Sequence, residues 1–93
     1  MRLILRIEDA FDIQGVGCVV TPEIPVDLGF KVAPKDRIQL RTPEGCVLDT
    51  HIDEFMSGRP RFSTRRLYCI VLPSPFSKHN IQIGTEVWLL TAD

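Results

Sequence analysis

Asp49, His51 and Asp53 stand at every second position, and in an extended chain such a set shares one face within reach of a common metal ion. A zinc-type site needs further ligands and an outer shell of hydrogen bonds that orients the imidazole. The sequence supplies neither nearby, so this spacing predicts a solvated polar strand face and no metal. Cys18, Cys46 and Cys69 are widely spaced and form no CxxC pair, so they carry no zinc or redox motif. Cysteine-histidine catalysis would need a thiolate activated by His51 or His79, and no nucleophile elbow or oxyanion-type turn accompanies any of the three cysteines. The residues therefore predict a protein that is not an enzyme and holds no cofactor.

Arg59, Arg61, Arg65 and Arg66 fall within residues 59–66 around Phe62. Such a loop offers cations to phosphates and a ring to a base, and it suits an acidic protein surface equally well. Eleven Lys plus Arg against twelve Asp plus Glu give a formal charge of −1 and a pI near 6.1, so no whole-protein field draws in nucleic acid. RNA binding would rest on a local patch. No Gly-Lys-Ser/Thr follows a glycine-rich loop, so the chain has no nucleotide-binding motif.

These residues must be held by short strands. Leu3, Leu5 and Ile7 alternate with Arg2, Arg6 and Glu8, the period of a half-buried strand over residues 2 to 7. Phe11 and Ile13 lead into Gly15-Val-Gly17, and the β-branched run from Cys18 to Ile24 follows, which reads as a hairpin. Phe11, Ile13, Val19 and Ile24 are its expected core residues. Beyond Pro34-Lys-Asp36, Ile38 and Leu40 alternate with Arg37, Gln39 and Arg41. Thr42-Pro-Glu-Gly45 is a turn signal, and Cys46, Leu48 and Ile52 then alternate with Asp49, His51 and Asp53 along one strand that ends near Phe55. Residues 67–72 form a continuous apolar run of buried-strand length, and residues 86–90 form the last strand. Tyr68 and Trp88 are expected in the core.

Six or seven short strands without a capped amphipathic helix predict an all-β domain over residues 1–93, either a sandwich or a closed barrel, with closure favoured because it removes exposed edges. Cys18 and Cys69 sit in strand-like surroundings as small hydrophobes, and three unpaired cysteines suit a reduced cytoplasm. The charged N-terminal residues have neither a signal-peptide core nor the roughly 20 apolar residues of a membrane span.

Residues 7–21, Ile-Glu-Asp-Ala-Phe-Asp-Ile-Gln-Gly-Val-Gly-Cys-Val-Val-Thr, resemble the opening of domain II in elongation factor Tu and its relatives. The family pattern there is Ile-Glu-Asp-x-Phe-x-Ile-x-Gly-Arg-Gly-Thr-Val-Val-Thr-Gly. Lys31-Val32 before residues 36–40, and Ile81-Gln-Ile-Gly84, resemble later steps of the same domain. The resemblance implies a small closed six-stranded antiparallel β-barrel that acts as a stand-alone, non-catalytic binding module. Its expected partner is another protein, with translation components the first candidates; RNA is the alternative partner, and an oligomerisation subunit is a further reading. By resemblance, Glu8, Ile13, Gly15, Val19 and Asp53 match the family's cradle for the tRNA 3′ end, with Asp9, Phe11 and Thr21 near its aminoacyl side. Val16 replaces the family's Arg, Cys18 its Thr and Pro22 its Gly, while Phe55-Met56 stands where a cation is usual. The phosphate-directed charge of that cradle is thus reduced.

Overall fold

A computed structural model describes residues 1–25, 29–58 and 67–90. They form eight strands and no helix: β1 (Arg2–Arg6), β2 (Asp9–Ile13), β3 (Gly17–Pro25), β4 (Arg37–Arg41), β5 (Val47–His51), β6 (Glu54–Gly58), β7 (Leu67–Leu72) and β8 (Glu86–Leu89). Two four-stranded antiparallel sheets result, with orders β1-β8-β4-β5 and β2-β3-β7-β6. Among the described residues no helix is long and apolar enough to cross a membrane.

The chain changes sheet at two corners, and the second divides the stretch that reads as one strand from Cys46 to near Phe55. The chain bends at residues 7–8, where Ile7 N–H donates to Thr85 O and Glu8 N–H to Thr21 O, each at 2.8 Å. It bends again at residues 52–53, where Ile52 N–H donates to Asp36 O and Asp53 N–H to Val71 O, each at 2.9 Å. At both corners consecutive N–H groups turn to opposite sheets, so the backbone is satisfied through the bend. This accounts for eight strands where the sequence suggests six or seven.

The inner faces of both sheets meet in one cluster, which includes Ile7, Val20, Ile38, Leu40, Ile52, Ile70 and Val87, all nearly inaccessible to water. Strand alternation supplies it: Ile38 and Leu40 point inward while Arg37, Gln39 and Arg41 point out. Tyr68 packs against the cluster and stacks on Phe55 with centroids 5.6 Å apart.

Three core expectations are corrected. Leu3 is 42% exposed, because a register shift between Leu3 and Leu5 breaks the simple alternation and buries Ile4 and Leu5 instead. Trp88 lies on the outward face of β8, paired with Leu3 and Gln39, since Val87 and Leu89 take the inward positions. There Trp88 donates to Glu86 at 3.1 Å and carries Arg41 over its ring at 4.7 Å. Cys46 and Leu48 are exposed, Cys46 just before β5 and Leu48 within it, because among the described residues β5 is the last strand of its sheet.

Candidate functional site

The hairpin β2–β3 collects most of the residues singled out by type. Its pairs Asp9↔Thr21, Phe11↔Val19 and Ile13↔Gly17 share a face, and the alternate residues Ala10, Cys18 and Val20 enter the core. Asp9, Phe11, Ile13, Val19 and Thr21 therefore lie together on the outer face of the β2-β3-β7-β6 sheet. Gly15, with φ of +81°, forms the turn, closed by Val16 N–H donating to Ile13 O at 3.0 Å. Asp9 accepts the Ala10 N–H at 2.8 Å, and the Thr21 hydroxyl donates to Asp9 O at 3.4 Å.

The expectation that Phe11 and Ile13 supply core is corrected. They remain 47% and 36% exposed, because their alternation places them on the face away from the second sheet. Val19 is buried, in a separate small cluster with Cys69 and Val71 that Val16 and Met56 pack against. Register extends this surface across all four strands: Phe11, Val19, Val71 and Glu54 form one row, and Met56 stands opposite Cys69. Val71 and Glu54 were not singled out by residue chemistry. The signal for Val71 was the continuous apolar run of residues 67–72, the pattern of a strand covered on both faces; Glu54 had none.

The thiols on this sheet are kept neutral. Burial, and secondly the Asp12 carboxylate, push the Cys18 thiol up. Burial, then Glu23, does the same to Cys69. Such thiols are poor nucleophiles at neutral pH. On the other sheet, hydrogen bonds from Arg6 and then Trp88 hold the Glu86 carboxyl below its ordinary range.

The remaining candidates are distributed differently. Glu8 is exposed at the first corner. Asp53 lies at the second, with an oxygen 3.7 Å from Lys35 Nζ. Asp49 and His51 are on β5, across from Gln39 and Arg37, and Gln39 donates to Asp49 at 3.2 Å. The bend after His51 separates Asp53 from them, and among the described residues no group of three His, Cys, Asp or Glu could hold a metal ion. Arg59, Arg61, Arg65 and Arg66 lie outside the described residues. Beside the hairpin, an open cavity of about 470 Å³ runs to residues 72–77, lined by Asp12, Ile13, Gly17, Leu72 and Phe76 among others.

In comparisons with protein-family models, curated proteins and solved structures, the chain matches none.

Proposed function

We propose that this chain is a non-catalytic binding module of the elongation factor Tu domain II type, which docks on a protein partner through the outer face of the β2-β3-β7-β6 sheet. The observation that carries this reading is the placement of Phe11 and Ile13 side by side in solvent, bordering the Val19–Val71 cluster. Covering the exposed parts of these two side chains is worth about 1 kcal/mol each on area grounds. Asp9 and Glu54 are exposed on the same face and Glu8 at its corner, so the partner is a surface with an apolar centre and a basic rim. The resemblance over residues 7–21 directs the search to translation components in the cytosol, which also suits three free cysteines.

The same proposal takes the two sheets as one six-stranded barrel, with β1–β2 and β5–β6 each a single bent strand. The corner hydrogen bonds of residues 7–8 and 52–53 and the core shared by both sheets support it. RNA-end binding is the second reading, favoured by the convergence of Asp9, Phe11, Ile13, Val19 and Thr21 on one face. Against it stand the surrounding carboxylates and Val16, which packs on the Val19 cluster where a cation would be needed for phosphate.

Capture from a native lysate with and without ribonuclease, over a salt series, separates the two. A protein partner retained after ribonuclease and at moderate salt is the expected result. Capture that disappears with ribonuclease, falls steeply with salt and is lost in an Arg65→Ala/Arg66→Ala variant would establish the RNA reading instead.

A further inference from the structure

Strand β5 ends its sheet, with β4 on one side and no strand on the other among the described residues. Thr42 N–H donates to Cys46 O, and Ile52 N–H donates to Asp36 O. Backbone groups of the even-numbered residues from 46 to 52 thus face β4, and alternation turns those of Val47, Asp49 and His51 to the open edge. Natural edges are blunted by Pro, Lys, bulges or covering loops. β5 has neither Pro nor Lys, keeps unbroken register with β4, and exposes Val47 and Leu48 at 54% and 49%.

We propose that β5 pairs antiparallel with β5 of a second copy of this chain, about a two-fold axis at Thr50, joining the two four-stranded sheets edge to edge. A two-fold axis normal to the sheet keeps each side chain on its own face, so only residues of equal parity can oppose each other. An axis at Asp49 would set two carboxylates against each other. An axis at Thr50 sets Asp49 opposite the second copy's His51, beside which Arg37 stands on β4, and it does so reciprocally. Asp49 and His51 are also the residues whose N–H and C=O groups face the edge, so each opposed pair exchanges both backbone hydrogen bonds. Leu48 meets the second copy's corner at Ile52, and the Thr50 side chains oppose each other. A five-residue edge buries far less than the roughly 800 Å² per partner of a stable interface, so the dimer forms with concentration.

Sedimentation equilibrium of the purified chain from roughly 10 µM to 1 mM tests this. The expected result is a monomer–dimer equilibrium. Asp49→Pro removes a donor that β4 does not use and abolishes the dimer. Asp49→Lys, facing His51 and Arg37, weakens it at least tenfold, and adding His51→Glu restores it to within about threefold by exchanging the charges. Circular dichroism monitors the β fold of each variant; should Asp49→Pro not fold, the charge exchange decides. A monomer throughout this range, or a dimer indifferent to Asp49→Lys, overturns the proposal.

Discussion

Cys46 stands in solvent while Cys18 and Cys69 are buried, a difference that reactivity can read directly. Burial raises the pKa of the latter two, so at neutral pH they hold almost no thiolate. Titration of the native chain with a thiol reagent is expected to give one fast-reacting group and two that react only on unfolding. The same shifts couple to stability. A thiol whose folded pKa lies above its unfolded value contributes stability that is fully present below the ordinary thiol range. That contribution is lost as pH rises through the folded pKa, so both cysteines make the fold sensitive to alkali and neither to acid. Three equal fast reactions in the native chain would contradict the burial of Cys18 and Cys69.

The hairpin β2–β3 depends on one glycine more than on the other. Gly17 has φ of +133°, and a Cβ there would meet Val71 Cγ1 at 3.2 Å, whereas Gly15 at φ +81° faces open space. Gly17→Ala is therefore expected to cost about 2 kcal/mol or more, and Gly15→Asn less than about 0.5 kcal/mol, since Asn tolerates the left-handed region. Urea denaturation of the two variants checks the ranking, and equal losses would refute it. The turn was readable because two glycines interrupt β-branched sequence, and β4 and β7 were readable from alternation and from an apolar run. The corner at residues 52–53 was not. Leu48 and Ile52 share one parity and Asp49, His51 and Asp53 the other, so nothing local marks the point at which Ile52 turns its N–H to one sheet and Asp53 to the other. Leu3 misled for a related reason: one irregular pairing step moves the buried set to Ile4 and Leu5, and period-2 reasoning has no means of detecting it.

At the scale of the whole molecule, two faces differ in kind. The outer face of the β1-β8-β4-β5 sheet carries exposed Leu3 and Val47, but most of it is internally paired: Arg6 bonds Glu86 at 2.8 Å, Trp88 bonds Glu86, and Arg41 bonds Gln39 at 2.8 Å while covering Trp88. Such groups have satisfied one another and offer little to a partner. The outer face of the β2-β3-β7-β6 sheet carries a buried apolar cluster with Phe11 and Ile13 left beside it. Part of this candidate site was legible, since residues 9, 11 and 13 share parity and so do residues 19 and 21. Its exposure was not, because an apolar residue in a strand is assigned to the core until the position of the other sheet is known. The central claim is that this second face is the docking surface, and it is tested by replacing Phe11 and Ile13 together by Ser and repeating the ribonuclease-treated capture. Their exposure predicts a stability change within about 1 kcal/mol, read by thermal denaturation, together with loss of the captured protein. A variant that unfolds at the wild-type temperature and still retains that partner at the wild-type level would contradict the account.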